Sequence, residues 1–290
     1  MDPRKLSALF GLKWNPFLEG VPVEGLCKTP RIDHFAWRVE DLVMHGGFAL
    51  VTGDVGTGKS SVLRLLAERL AGLRDVVVGE VTRPQSRVTD FYRELGDLFG
   101  IAVSTSNRWG AYKTVRAKWQ EHIHQTLFRP VLLIDEAQEL SPLLLSELRL
   151  LGSTKLDTCT IVTVILCGDR RIEDKLRTPD LLPVQSRLRA RLVLDAETPE
   201  TLGAMLHHIL AAAGNPALMT DELQRTLCEH AAGNRRLLMN LCNELLALAV
   251  AKNAKRLDDG LYLEMTSAEH RPARPKPAAL PPRTKLAVRR

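Results

Sequence analysis

Residues 53–60, Gly53-Asp54-Val55-Gly56-Thr57-Gly58-Lys59-Ser60, fit the spacing G-x-x-x-x-G-K-[ST]. Glycines at these positions let main-chain N–H groups close around phosphate oxygens, and the following helix start adds its dipole. Lys59 is expected to reach the β- and γ-phosphates of ATP, and Ser60 to ligate Mg²⁺. Asp54, Val55, Thr57 and Ser61 are expected to line the same cradle. A second group follows at Val131-Leu132-Leu133-Ile134-Asp135-Glu136, four apolar residues ending in two acids. Asp135 is placed to hold Mg²⁺, directly or through water, and Glu136 to polarise the attacking water. A carboxylate neutralised by metal leaves its neighbour free to act as base.

These groups need a scaffold that brings distant segments to one edge. Phe48-Ala49-Leu50-Val51 reads as a buried strand, and residues 61–70 as an amphipathic helix, so the glycine loop joins strand to helix. Strands are predicted at 48–52, 76–81, 131–134, 160–167 and 191–194, and helices at 60–71, 87–99, 110–127 and 142–151. Ser141-Pro142 supplies an N-cap and a first-turn proline. Alternating strands and helices predict an α/β fold, a parallel sheet flanked by helices, with ligands at the carboxyl ends of the strands. After Leu194 the pattern is helical only, at 198–213, 220–232 and 235–251, which predicts a small helical lid. The expected organisation is an extension at 1–45, the nucleotide-binding α/β domain at 46–195, the lid at 196–267 and a tail at 268–290. The extension holds Trp14-Asn15-Pro16-Phe17, read chiefly as packing and also able to wall an adenine ring, and an amphipathic stretch over 32–43.

Three further positions complete the chemistry. The apolar run 160–167 ends in Gly168-Asp169 and is expected between the loop strand and the Asp135 strand, which puts Asp169 near the γ-phosphate as a sensor. An aspartate there repels phosphate unless it orients water or metal. Arg187 opens the basic run Arg187-Leu188-Arg189-Ala190-Arg191, where an arginine is expected to enter a neighbouring subunit's site and stabilise transition-state charge. Gly233-Asn234-Arg235-Arg236 opens a lid helix, and Arg236, or alternatively Arg235, is expected to contact phosphate.

The chain has 290 residues, 45% of them hydrophobic, enough for one α/β core and a smaller helical domain. No stretch approaches the roughly 20 apolar residues of a membrane helix, and Met1-Asp2-Pro3-Arg4-Lys5 lacks a secretory signal. Five scattered cysteines form no CxxC pair, and Cys167 reads as a small core residue; a cytoplasmic protein is expected. The net charge of +6 resides in the tail, where Arg271, Arg274, Lys276, Arg283, Lys285, Arg289 and Arg290 face one acid, Glu269. With five prolines, that tail is expected to be an extended arm for nucleic acid or a partner protein.

Phosphate loop, Asp135-Glu136, polar sensor, arginine finger and lid arginine, in that order, resemble an AAA+ ATPase over residues from about 12 to 266. The Asn15-Pro16-Phe17 opening, the Asp135-Glu136-Ala137-Gln138 box and the Gly168-Asp169 turn resemble the family of ExeA-type secretion ATPases and transposon ATPases of the Mu B, TniB and TnsC kind. That family often has Gln at the position of Asp169 and Gly-x-Pro-Arg where this chain has Gly233-Asn234-Arg235-Arg236. The acidic box also resembles that of helicases, which need two motor domains where this chain has length for one. Secretion members carry a transmembrane helix and a wall-binding domain, so the short basic end favours the transposon branch. The resemblance then implies an ATP-dependent regulator that assembles on duplex DNA as a ring or filament, often hexameric per turn. It would recruit a DDE transposase to the target and disassemble on hydrolysis. A secretion accessory ATPase and a replication-loader-like adaptor are the alternatives. Candidate DNA contacts are Arg83, Arg87, Arg108, Lys113 and Arg116, for salt-sensitive, sequence-independent binding to phosphates.

Overall fold

Threonine or serine before proline starts several helices here, because the hydroxyl caps a free N–H and proline has none to lose. Thr29 accepts from Ile32 N ahead of Pro30, Ser141 from Leu144 N ahead of Pro142, and Thr198 from Thr201 N ahead of Pro199. The structure is a computed structural model and describes residues 3–82, 84–85, 87–104, 107–126, 128–154 and 159–269. Arg83 and the basic residues from Arg271 onward lie outside the described residues.

Helices α1 (Pro3–Phe10) and α2 (Pro30–His45) precede strand β1 (Gly47–Gly53), which leads through the glycine loop into α3 (Lys59–Ala71). Strand β2 (Val76–Val81), helices α4 (Val88–Phe99) and α5 (Arg108–Thr126) and strand β3 (Arg129–Ile134) follow. Next come α6 (Pro142–Gly152), a short antiparallel pair β4 (Ser153–Thr154) and β5 (Cys159–Thr160), then β6 (Thr163–Gly168). Helices α7 (Arg171–Leu176) and α8 (Leu182–Gln185) lead to β7 (Leu188–Leu194). Helices α9 (Pro199–Ala213), α10 (Asp221–His230), α11 (Arg235–Lys252) and α12 (Asp259–Glu269) form the C-terminal lobe.

The main sheet is parallel, in the order β2-β3-β6-β1-β7, so β6 lies between β1 and β3 as the sequence predicts. Period-two alternation divides the sheet's side chains between two cores. Phe48, Leu50, Leu132, Ile134, Val164 and Leu166 face the cluster formed with α4, α5 and α6. Ala49, Val51, Val131, Leu133, Ile165 and Cys167 face the cluster formed with α2 and α3. Cys167 is a buried core residue, as expected from its apolar run.

Two strand starts differ from expectation by three residues. The run 160–167 is broken: Thr160 pairs with Ser153, Ile161 N bonds to Gly152 O, and the sheet strand begins only at Thr163. At the other edge β7 begins at Leu188 rather than 191, because Arg189 and Arg191 alternate outward while Ala190 and Leu192 are buried. The charges on an edge strand's open face hid its inward alternation.

The first 45 residues contribute to both lobes. Leu6 and Phe10 of α1, with Leu12 and Phe17, are buried among Leu206, Leu210 and Leu246 of the lid. Lys13 N donates to Ala213 O and Asn215 Nδ2 to Phe10 O, stitching the segment to the end of α9. Helix α2 instead buries Phe35, Val39 and Leu42 against the sheet. Replacing Phe10 by Ala removes a ring that is 4% exposed and is expected to cost about 3–5 kcal/mol. Denaturant melts should show that loss, and hydrogen exchange should accelerate in the lid helices before the sheet.

Candidate functional site

The parallel register sets Thr52 beside Gly168 and Leu166 beside Ile134, so β1, β6 and β3 end along one edge. The segments leaving those ends carry the predicted site residues. Gly56 and Gly58 have φ of 86° and 96°, values that side-chain-bearing residues resist, and Gly58 caps α3. A Cβ on Gly53 would lie 2.5 Å from Leu194 O, so the loop passes tightly over the end of β7. The buried Lys59 ammonium donates to Gly53 O and Asp54 O, each at 3.0 Å, and Thr57 Oγ1 donates to Asp54 O at 2.9 Å.

Ser60 Oγ donates to Asp135 Oδ2 at 3.0 Å, joining the two halves that the sequence places 75 residues apart. Asp135 Oδ1 accepts from Glu136 N at 2.9 Å. Glu136 has a left-handed backbone, φ 50° and ψ 40°, a conformation costing on the order of 1–3 kcal/mol in a non-glycine residue. The carboxylate it carries is exposed and lines the cavity described below. Gln138, two residues on and 5% exposed, donates from Nε2 to Glu136 Oε2 and accepts at Oε1 from Asp169 N at 3.1 Å. The Arg171 guanidinium, 2.7 Å from the Asp169 carboxylate, holds that carboxyl below its ordinary range. Arg171 also reaches Glu139 at 3.2 Å, and Gln85 Nε2 donates to the other oxygen of Glu139 at 3.2 Å. Burial, with the Asp135 carboxylate alongside, pushes the Cys167 thiol well above its ordinary range, so it stays protonated and inert.

A cavity of about 450 Å³ opens over these groups. Lys59, Ser60, Glu136 and Asp169 form its polar end. Phe17 and Leu18 meet Met205, Ile209 and Met239 of the lid at its apolar end. Phe17 therefore both packs and walls the cavity, the two roles weighed for its aromatic stretch. The lid touches the loop directly. Asn234 caps α11 through Leu237 N and donates to Val55 O at 3.1 Å, and Arg236 N donates to Gly56 O at 3.2 Å. The Arg236 side chain is exposed at the cavity; Arg235 is buried, paired with Glu197, and among the described residues its Nε has no hydrogen-bond partner.

Other candidates lie apart. Arg187 precedes β7 at the opposite edge of the sheet. Its separation from its own phosphate loop, the length of β1 from Phe48 to Gly53, is roughly 17 Å at about 3.3 Å per residue. Of the DNA candidates, Arg87 is exposed at the start of α4, and Lys113 is exposed with its ammonium 5.2 Å over the Trp109 ring. Arg108 pairs with buried Glu147, which also accepts from Tyr92 OH at 2.7 Å. Arg116 donates to Tyr112 OH and lies over its ring. Gln138 is a site residue that stands outside the candidate residues the sequence singles out. Its signal is a lone amide in the turn Ala137-Gln138-Glu139-Leu140, directly after the acidic pair.

The glycine cradle, the buried ammonium and the apolar slot fit a nucleoside triphosphate. Among the described residues no cluster of three or more His, Cys, Asp or Glu could hold a metal. The Ser60 hydroxyl and the Asp135 carboxylate are oxygen donors of the kind that magnesium favours, and they would hold that ion.

Residues 42–176 match a family described as an AAA domain. The fold, a parallel sheet flanked by helices, matches that of a P-loop AAA+ protein. It is homologous to General secretion pathway protein A of Aeromonas hydrophila, with 28% identity over 262 residues. That match covers 88% of this chain and 46% of the relative, so the chain spans about half the relative's length. The fold is similar to that of the Aeropyrum pernix ORC2 protein in its ADP form, with a TM-score of 0.70 and 15% identity over 89% of this chain and 73% of the other. It is also similar to the Aeropyrum pernix ORC1 protein in complex with DNA, at 0.62 and 16% over 88% and 68%. Among the described residues no helix is long and apolar enough to cross a membrane.

Lys59→Ala removes the cation of the cradle and is expected to weaken ATP binding at least about 100-fold, the loss of a buried charge-assisted contact. Titration with a fluorescent ATP analogue checks this, with the melting temperature as folding control.

Proposed function

We propose that the chain is a magnesium-dependent AAA+ ATPase that assembles with copies of itself on duplex DNA. In this reading it serves transposition by bringing a DDE transposase to target DNA and releases the assembly on hydrolysis. The observation that supports the ATPase reading most is the meeting of Lys59, Ser60, Asp135 and Glu136 at one sheet edge beneath a single cavity. Lys59 and the N–H groups of residues 56–60 bind the β- and γ-phosphates. Ser60 and Asp135 hold magnesium, whose chemistry there is neutralisation of phosphate charge. Glu136 accepts a proton from water as the water oxygen bonds to the γ-phosphorus and the bond to ADP breaks. Asp169 senses the γ-phosphate, and Arg236, with Arg235 as alternative, carries its presence to the lid.

Arg187 lies too far from its own loop to serve there, which supports action in the site of an adjoining copy. Exposed Arg87 and Lys113 support a phosphate-contacting face, and the DNA-bound ORC1 structure has this fold. A second reading, an accessory ATPase of secretion, is favoured by the homology to General secretion pathway protein A.

Electron microscopy with a slowly hydrolysed ATP analogue, with and without duplex DNA, separates the two. DNA-dependent rings or filaments are expected; a monomer indifferent to DNA would sink the transposition reading and favour the secretion one. Glu136→Gln should lower kcat by about 10²- to 10⁴-fold while keeping nucleotide binding and stabilising the assembly. Arg187→Ala should lose hydrolysis alone and regain it when mixed with Lys59→Ala, whose intact arginine faces a competent site.

A further inference from the structure

The amide of Gln138 is held at both ends by groups the reaction uses. One end donates to a Glu136 carboxylate oxygen and the other accepts from the main-chain N–H of Asp169. The orientation follows from the partners, since only the NH₂ end can donate to a carboxylate and only the oxygen can accept from N–H. Its surroundings leave it no freedom. Gln138 is 5% exposed, and Lys175 Nζ donates to its main-chain oxygen and to Leu140 O, fixing the turn. Gly168 is required beside it, because a Cβ there would lie 2.3 Å from Gln138 Oε1.

We propose that Gln138 is the positioning residue of this site, a clamp that sets the water-activating carboxylate of Glu136 relative to the sensor turn at Asp169. The inference rests on the reading of Glu136 as general base. Glu136 projects from a strained left-handed residue into an open cavity, and an unheld carboxylate there would sample several rotamers. The Gln138 bond occupies one carboxylate oxygen and leaves the other to take the proton of water. Because the second end of the amide is anchored to the residue after β6, a shift of that strand end moves the base with it.

Two substitutions attack the clamp without touching nucleotide. Gln138→Glu keeps the reach and the acceptor for Asp169 N but replaces the donor with a negative oxygen. Gly168→Ala leaves Gln138 intact and displaces it through the new Cβ. Each is expected to lower kcat about 10- to 100-fold, as loss of an orienting partner does. The KM and the affinity for a fluorescent ATP analogue should stay within about three-fold. The double variant should be no worse than the poorer single one, since both break one link.

Wild-type kcat in Gly168→Ala or in Gln138→Glu overturns the clamp. So does a parallel fall of kcat, affinity and melting temperature, which would mark a purely structural amide. Glu136→Gln is the control. If it turns over ATP as fast as wild type, the base assignment falls and the clamp with it. If it is silent while both clamp variants behave as wild type, only the clamp falls.

Discussion

The insertion of β6 between β1 and β3 is the constraint on which the site depends. Three strand ends, at Gly53, Ile134 and Gly168, must reach one edge for the loop, the carboxylate pair and the sensor turn to meet. A slip of one residue would displace Asp135 by about 3.3 Å and reverse which side chains face each core. Burial forbids that slip: Val131 to Ile134 and Val164 to Cys167 are all 3% exposed or less. The polar chemistry is therefore positioned by apolar packing on both faces of the sheet. Ser60–Asp135 is a consequence of that register more than a cause of it.

A second constraint joins the lobes. Asn234 ends the turn after α10, caps α11 and donates to Val55 O, so one side chain fixes the lid helix on the phosphate loop. A Cβ on Gly56 would lie 2.2 Å from Asn234 Oδ1. The loop's glycines thus serve the approach of the lid as well as that of phosphate, and nucleotide in the cavity would touch both lobes at once. The N-terminal segment strengthens the same joint, since Phe17 belongs to the lid's core and walls the cavity.

What could be read in the sequence was what is local. The glycine loop, the Asp135-Glu136 pair and the first three lid helices follow from spacing within a few residues, and their elements fall where expected, whereas α12 carries no such signal. The start of β7 is hidden because two arginines, Arg189 and Arg191, interrupt a strand whose burial alternates. The division of the first 45 residues between two cores depends on contacts with residues some 200 positions away, such as Asn15 with Asn243. Gln138 was visible as part of the Asp-Glu-Ala-Gln box, yet its bond to Asp169 N exists only because β6 ends beside it. Arg108 and Arg116 look like free cations in a basic stretch, and only the fold shows them engaged by Glu147 and Tyr112.

The position of Arg187 bears on what one chain can do alone. Every other group proposed for hydrolysis lies at the carboxyl edge of the sheet or on the lid above it, whereas Arg187 lies at the amino edge, beside the start of β1. No rotamer of an arginine spans that length. Under the proposed role, phosphate charge in one cavity is balanced by the far edge of another copy. Such a contact is heterologous, joining different faces of two identical chains, and repetition of it closes a ring or extends a helix. Hydrolysis and assembly then become one property: the site is chemically complete only at a junction, and ATP turnover measures how many junctions exist.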